Sequence, residues 1–186
     1  MARTPSNMLA LGTVAPQFSL WDTVSDEFKT LAQVQGKHGT VVVFICNHCP
    51  FVVHINEALV DIANGYQEKG VKFVAISSND VEHYPQDGPK QMKVQAEKLN
   101  YPFPYLYDET QAIAKAYDAA CTPDFFLFDE KLKLVYRGQM DDSRPGNSLP
   151  IDGADLKNAM ECLLQNTPNT RIQKPSIGCN IKWKQI

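Results

Sequence analysis

Short apolar runs alternate with longer amphipathic segments along most of this chain of 186 residues. Apolar runs bounded by polar or turn-forming residues are typical of buried β-strands. They predict five strands, at Thr40–Ile45, Val71–Ser77, Tyr105–Tyr107, Asp124–Asp129 and Leu132–Arg137. Because long segments separate the first strands, these are predicted to pair in parallel, while the short turn between the last two predicts a hairpin.

Apolar residues recur every three or four positions in the intervening segments, as in helices with one buried face. Four helices are predicted, at about Cys49–Tyr66, 89–100, Asp108–Ala119 and Gly153–Leu164. Asp87 precedes Pro89 and is placed to cap the second helix, and Asp108 with Gln111 forms a variant of the capping box at the third. The order of elements predicts an α/β fold in which a central mixed sheet is flanked by helices.

No internal repeat or low-complexity linker interrupts this order, so we predict one domain over residues 1–186, with a core at 12–165 and a C-terminal tail at 166–186. A chain of this length buries roughly two-thirds of its extended surface on folding, and its core needs no disulfides. The cysteines are therefore available for chemistry.

The charge pattern excludes several classes of partner. With 18 basic and 21 acidic residues and a formal net charge of −3, the chain lacks the basic surface that nucleic acids or anionic membranes require. Its first residues show no basic segment followed by a long apolar run, so no secretory signal or membrane anchor is predicted. Five cysteines, of which Cys121, Cys162 and Cys179 have no close partner in sequence, suit a reducing compartment. We expect a cytoplasmic protein.

Cys46 and Cys49 lie two residues apart where the first predicted strand gives way to a helix. A helix N-terminus stabilises a thiolate, and a second thiol at this spacing is within reach to form a disulfide with it. A structural zinc site is the competing interpretation, but the chain has neither a second Cys-x-x-Cys nor a closely spaced histidine pair. The motif favours redox chemistry, with no cofactor and no bound metal.

Two further segments give the chain a recognisable resemblance. A strand that ends in Cys-x-x-Cys, followed much later by Thr122-Pro123 leading into another strand, resembles the thioredoxin fold, in which that proline is cis and faces the disulfide. The segment Gly12–Leu20 resembles the N-terminal extension of the redoxin or AhpC/TSA branch, which includes the peroxiredoxins. The segments Cys46–Phe51, Ala120–Phe126 and Pro175–Lys184 are similar to those of a bacterial peroxiredoxin-like group with a Cys-Asn-His-Cys-Pro motif.

The resemblance implies a thiol–disulfide oxidoreductase that serves cell redox homeostasis. Its partners would be protein or small-molecule thiols and disulfides, together with a thiol reductant. Cys46 would be the nucleophile, as the N-terminal thiol of the pair and the one nearest the open helix end, and Cys49 would resolve the mixed disulfide. His48 either stabilises the thiolate or is an exposed turn residue. A stabilised thiolate predicts a reduction potential above the ~−270 mV of thioredoxin.

Two other functions are alternatives to a thiol–disulfide oxidoreductase. A slow thiol peroxidase would act as an antioxidant through the same cysteines, with Cys49 at the peroxidatic position of peroxiredoxins. Cys46 replaces the peroxiredoxin threonine, however, and Pro123 occupies the region of its arginine, for which Arg137 substitutes only if the fold brings it close. A copper-carrying module is less favoured, because such relatives have one more residue between the two cysteines.

Three further features lie close to this motif or are expected to contact it. Cys121 is either a third thiol near the pair or a small buried hydrophobic residue. The tail segment Lys174–Ile186 is too apolar for a disordered end, so we expect it to dock, either simply fixing the C-terminus or bringing Cys179 over the pair as a resolving thiol. The acidic segment Ser77–Pro89 either fixes a partner or cation or, as we favour, caps a turn and the next helix.

Overall fold

A seven-stranded mixed sheet forms the centre of the computed structural model, which describes residues 3–185. The strands are β1 (Thr4–Pro5), β2 (Ser19–Asp22), β3 (Glu27–Thr30), β4 (Gly39–Phe44), β5 (Val71–Ser77), β6 (Tyr105–Tyr107), β7 (Cys121–Thr122), β8 (Asp124–Asp129), β9 (Leu134–Gly138) and β10 (Ile177–Asn180). The helices are α1 (Leu31–Val34), α2 (Pro50–Gln67), α3 (Pro89–Lys98), α4 (Ala112–Ala116) and α5 (Ala154–Leu164), and a single 3₁₀ turn spans Pro85–Asp87.

The topology confirms the predicted α/β fold. In the main sheet the order is β3-β2-β6-β5-β4-β8-β9. β4, β5 and β6 are parallel neighbours, whereas β8 runs antiparallel to β4 and forms a hairpin with β9. All five predicted strands are present, although the last begins at Leu134 rather than Leu132.

Strand β4 is buried along its whole length because helices cover both faces of the sheet. Its side chains alternate between two apolar clusters. Val41 and Val43 pack on one face with residues of α2, α3 and α5, while Val42 and Phe44 pack on the other with residues of α1 and α4. This double burial fixes the position and direction of β4, and with them the point at which Cys46 follows the strand.

The N-terminal extension contributes β2 and β3, which the apolar pattern did not predict. The apolar residues of these two strands are interspersed with charged and polar ones, and Phe28 is 62% exposed. β2 nevertheless pairs antiparallel with both β3 and β6, which adds two strands to one edge of the sheet. Backbone pairing rather than burial explains these strands.

The predicted cap of α3 by Asp87 is wrong. The N-cap of that helix is Gly88, and no side chain caps it. The Asp87 carboxylate instead accepts hydrogen bonds from the backbone N–H groups of Asn47 (2.9 Å) and His48 (3.3 Å). The carboxylate therefore fixes the turn between the two cysteines rather than the helix that follows it.

The capping box predicted for the third helix is also absent, and α4 is shorter than expected. Asp108 accepts a hydrogen bond from the backbone N–H of Ala114 (2.9 Å). Gln111 has a left-handed backbone conformation (φ 62°), and its side-chain amide donates to the carbonyl oxygens of Ser78 and Lys182 (2.7 and 2.8 Å). Gln111 thus holds the C-terminal tail against the end of β5.

A small second sheet docks the tail, as predicted from its apolar residues. β10 pairs antiparallel with β1 on one side and with β7 on the other, so that the tail joins the N-terminal strand to the strand that leads into Pro123. Among residues 3–185 no helix combines the length and apolar character needed to cross a bilayer.

Candidate active site

The Cys-x-x-Cys turn lies at the carboxyl end of β4, where open α/β sheets commonly place their sites. Cys46 follows the strand, and Cys49 is the N-cap residue of α2. Both side chains are almost completely buried, with exposures of 1% and 0%. All five cysteines of the chain are thiols in the structure.

The relation of the pair to the helix differs from the sequence expectation. Helix α2 begins at Pro50, so Cys49 rather than Cys46 is nearest to the helix end. The Cys49 side chain makes no capping hydrogen bond, and the N–H groups of Val52 and Val53 bond to its carbonyl oxygen. The expectation that helix-end amides hold a Cys46 thiolate is therefore wrong, and other groups decide where the charge lies.

Thr122 joins the two cysteines. Its hydroxyl oxygen lies 3.5 Å from the Sγ atom of Cys46, and its carbonyl oxygen accepts a hydrogen bond of 3.1 Å from the Cys49 thiol. The Thr122–Pro123 peptide bond is cis, as the resemblance predicts. The structure thus brings the Cys46–Cys49 pair together with Thr122 and Pro123, although more than seventy positions separate the two segments.

The two thiols of the pair differ in acidity, and the negative charge is favoured on Cys49. Hydrogen bonding from the Cys46 thiol lowers the pKa of Cys49, and the Cys179 thiol, the Thr122 hydroxyl and the Cys179 backbone act in the same direction against the effect of burial. The pKa of Cys46 is raised by the same interaction with Cys49, then by burial and by the negative charge of Asp87. The inner thiol of the pair is therefore the more acidic one.

Asp87, which the sequence predicts to be a helix cap, instead positions the turn between the two cysteines. Its carboxylate is fully buried and, besides the two backbone N–H groups of the turn, contacts the His48 Nδ1 atom at 2.6 Å and accepts from the Asn79 side chain at 2.8 Å. A buried carboxylate with four N–H partners is well satisfied. It locks the conformation of the turn that carries both sulfurs.

His48 lies beside the outer thiol but is oriented by its other contacts. Its Nδ1 atom is 3.9 Å from Cys46 Sγ, while the shorter contact of the same atom is to Asp87. The ring stacks on Tyr84 with 5.6 Å between centroids and 9° between planes. With a side-chain exposure of 27%, His48 forms the solvent-facing edge of the site next to Cys46.

Cys179 reaches the site from the tail. In the pairing of β10 with β7, Cys179 stands opposite Thr122, and only 7% of it is exposed. Gly178 permits this close approach, because a Cβ atom built there would lie 2.0 Å from the Thr122 carbonyl oxygen. Burial, followed by the interaction with Cys49, raises the pKa of Cys179 to about 11.

Cys121 lies on the other side of β7, since neighbouring strand residues point to opposite faces. It is fully buried, and its Sγ atom contacts the Pro123 carbonyl oxygen at 3.6 Å. Burial and then the charge of Asp124 raise its pKa. These surroundings favour a protonated, packed thiol.

Arg137 does not replace the peroxiredoxin arginine at the cysteine pair. Its guanidinium donates to the carbonyl oxygen of Leu9 (2.8 Å) and to the side chain of Gln173 (2.6 Å). These bonds attach the N-terminal extension and the tail to β9. The charged Arg137 side chain therefore holds the N-terminal extension and the tail and is not available to the cysteine pair.

One cluster has the donor types of a metal site. Cys46, His48 and Asp87 place one ligand atom each within 4.8 Å of one another. Both Asp87 oxygens are already engaged by N–H groups, and the His48 Nδ1 atom is one of those partners. A cation would have to replace the hydrogen bonds that fix the turn, so the geometry fits a positioned thiol better than a metal centre.

Comparisons with known proteins agree with this fold. The model for the AhpC/TSA family matches residues 11–137. A crystal structure of an uncharacterized conserved protein from Geobacillus kaustophilus is 56% identical with a TM-score of 0.98, covering 100% of this chain and 98% of that one. A hypothetical protein from Sinorhizobium meliloti is 46% identical with a TM-score of 0.95, covering 98% and 100%.

A more distant structure shows the fold alone. The thiol:disulfide interchange protein from Chlorobium tepidum, described as a thioredoxin family protein, is 18% identical with a TM-score of 0.63, covering 84% of this chain and 99% of that one. No curated protein sequence matches the chain.

Proposed function

The chain belongs to the AhpC/TSA family, and we propose that it is a thiol–disulfide oxidoreductase in which Cys46 attacks an external disulfide and Cys49 resolves the mixed disulfide. One observation carries the proposal: both sulfurs contact Thr122 immediately before cis-Pro123, and the less acidic sulfur, Cys46, lies beside the partly exposed His48. Disulfide exchange needs a thiolate, a second thiol within reach and access for the partner.

The reaction begins with transfer of the Cys46 proton to the Cys49 thiolate. The Cys46 thiolate, next to the Thr122 hydroxyl, attacks one sulfur of the partner disulfide, and the other partner sulfur leaves as a thiolate that takes the proton back from Cys49. The Cys49 thiolate then attacks the Cys46 sulfur and releases the second partner thiolate. The partner gains two electrons, and the protein gains the Cys46–Cys49 disulfide.

The partners in this scheme are protein or small-molecule disulfides, and a thiol reductant regenerates the pair. His48, partly exposed beside Cys46, borders the face on which the partner would lie, and Asp87 keeps that face in register with the sulfurs. We place this cycle in the cytoplasm, since a chain with five thiols suits a reducing compartment.

Insulin reduction in the presence of dithiothreitol tests the proposal. Wild-type protein should accelerate precipitation of the insulin B chain, and Cys46→Ser should lower that rate by about 100-fold or more, because the attacking sulfur is lost. Cys49→Ser should turn over poorly and accumulate a mixed disulfide on Cys46. Cys162→Ser, which changes a half-buried cysteine of α5, is the matched control. Wild-type rates in both Cys46→Ser and Cys49→Ser would refute the proposal.

A slow thiol peroxidase is the second candidate, because the more acidic sulfur, Cys49, occupies the position that resembles the peroxidatic one. A peroxide would oxidise Cys49 to a sulfenic acid and release water, and Cys46 would condense with it to form the disulfide and a second water. Thr122 supplies one hydroxyl donor, but Arg137 is engaged elsewhere, so stabilisation of the developing oxygen charge is small. Hydrogen peroxide consumption faster than insulin reduction would favour this candidate.

A further inference from the structure

The geometry points to Cys179 as a third redox thiol, which competes with Cys46 for a disulfide to Cys49. This inference deepens the proposed function and depends on it. In this arrangement Cys49 is the central sulfur of three, with Cys46 on the side of His48 and Cys179 on the side of the tail. The tail strand is then part of the active site and not only an attachment of the C-terminus.

The register of the small sheet places Cys179 at the pair. Residues directly opposite each other in an antiparallel pair project to the same face, with Cβ atoms about 5 Å apart. Cys179 is opposite Thr122, whose hydroxyl contacts Cys46 and whose carbonyl oxygen contacts the Cys49 thiol. The same alternation directs Cys121 to the other face, which excludes it from this role.

Helix α2, whose N-cap residue is Cys49, lies close to strand β10. The contact is close because residue 178 is a glycine, and any side chain there would overlap the Thr122 carbonyl oxygen. The surroundings of the Cys49 sulfur agree with this placement, because both the thiol and the backbone of Cys179 stabilise a thiolate at Cys49.

Exchange between the two disulfides needs no further oxidant. Starting from the Cys46–Cys49 disulfide, Cys179 loses its proton and attacks the Cys49 sulfur. The Cys49–Cys179 bond forms, the Cys46–Cys49 bond breaks, and Cys46 leaves with the electron pair and takes up the proton. The number of disulfides and the two electrons missing from the protein are unchanged.

The exchange changes which two sulfurs are joined. Cys46, Cys49 and Cys179 are all buried, with exposures of 1%, 0% and 7%, and Cys46 lies next to the partly exposed His48. The oxidised protein therefore has two forms: one with the Cys46–Cys49 disulfide, and one in which Cys49 is joined to Cys179 while Cys46 is a thiol.

Peptide mapping after oxidation tests this inference. Trypsin leaves Cys46 and Cys49 together in the peptide 38–69 and Cys179 in the peptide 172–182, so a Cys49–Cys179 disulfide links the two peptides. The full-length Cys46→Ser variant is oxidised with one equivalent of diamide, a diazene that accepts two electrons and two protons, then quenched in acid and alkylated in denaturant. We expect the linked peptides in monomeric protein.

Control variants assign the link to its sulfurs. Cys121→Ser added to Cys46→Ser should keep the linked peptides, whereas Cys179→Ser added to it should abolish them. Wild-type protein, oxidised in the same way, should also give linked peptides as a fraction of the total, which provides a measurement free of any substitution. Diamide-treated Cys46→Ser that lacks the link, together with wild-type protein that lacks it, would overturn the inference.

The two proposals fail separately. Loss of insulin reduction in Cys46→Ser without any Cys49–Cys179 link would leave the oxidoreductase intact and remove only the third thiol. Wild-type insulin reduction in both Cys46→Ser and Cys49→Ser would instead remove the oxidoreductase, whatever disulfides form with diamide. Circular dichroism of each variant confirms that the fold is kept.

Discussion

Asp124 is a buried carboxyl group immediately beyond cis-Pro123, and its 0% exposure sets it apart from the acidic residues of the surface. It accepts hydrogen bonds from the Ser6 hydroxyl (2.7 Å) and from the backbone N–H of Ala120 (3.3 Å). Burial, the largest effect, raises its pKa to about 7, against the opposing effect of the Ser6 hydroxyl. The folded protein therefore keeps a proton on Asp124 that the unfolded chain loses near pH 4.

The sign of the resulting pH dependence follows from proton binding. Where the folded state binds more protons than the unfolded state, the free energy of unfolding falls as pH rises. We predict that stability falls between about pH 4 and pH 7 by up to ~1.4 kcal/mol per pH unit from this one group, and that Asp124→Asn removes that component. Urea unfolding at a series of pH values measures it.

Ser6→Ala serves as the second variant, because losing the Ser6 hydroxyl should raise the pKa of Asp124 and extend the fall in stability to higher pH. Parallel stability curves for wild-type protein and Asp124→Asn across this range would contradict the assignment.

At the residue scale the sequence predicts candidate reactive groups more readily than the residues that position them. Cys46, Cys49 and Thr122 were predicted because their chemistry or their place in a motif marks them. The sequence predicts Asp87 to be a helix cap, because an aspartate just before Pro89 is typical of the start of a helix. Its actual partners, Asn47 and His48, lie about forty positions away, and no local pattern encodes such a contact.

At the element scale the tail strand β10 depends on a single glycine. A Cβ atom on residue 178 would lie 2.0 Å from a backbone oxygen of Thr122, and backbone at that position cannot move without opening the small sheet. We predict that Gly178→Ala destabilises the protein by about 1–3 kcal/mol and exposes Cys179 to alkylation, because the strand must shift away from β7.

Gly65→Ala is the matched control for that substitution. Gly65 lies on the exposed side of α2 with no atom within 4 Å of a built Cβ, so an alanine there should stabilise the helix by about 0.5–1 kcal/mol. Thermal unfolding and iodoacetamide labelling of both variants make the comparison. Equal effects of the two substitutions would contradict the close packing of β10 on Thr122.

The elements that the sequence predicted and those that it missed differ in what forms them. β4, β5 and β8 are apolar runs because they are buried on both faces, and burial leaves a pattern in the sequence. β7 and β10 contain only two and four residues and exist through pairing with strands far away in the chain. Such pairing produces no periodic pattern of hydrophobic residues in the sequence.

At the scale of the whole molecule the N-terminal strand and the tail strand converge on the site. Ser6 bonds to Asp124 and accepts a hydrogen bond of 2.9 Å from the backbone N–H of Ser176, which lies just before β10. The turn that carries Cys46 and Cys49, the strand after cis-Pro123, the N-terminal strand and the tail strand are therefore one packed unit. The fold was predictable from the order of strands and helices, whereas this convergence was not, because it depends on contacts between the most distant parts of the chain.

The molecule as a whole is expected to be a more oxidising thiol couple than thioredoxin. Cys46 in the turn after β4, Cys179 of β10 and Thr122 of β7 together stabilise a thiolate on Cys49, and stabilising the reduced form raises the reduction potential. The hydrogen bond with Cys49, burial and then the charge of Asp87 raise the pKa of Cys46, and all three oppose a second thiolate there.

Equilibration with glutathione buffers, followed by acid quenching and mass mapping of the peptide 38–69, tests this account most directly. It predicts a two-electron transition of Cys46 and Cys49 between dithiol and disulfide, with a midpoint above ~−270 mV. A pair that stays as two thiols in every buffer, or a midpoint more negative than that of thioredoxin, would contradict it.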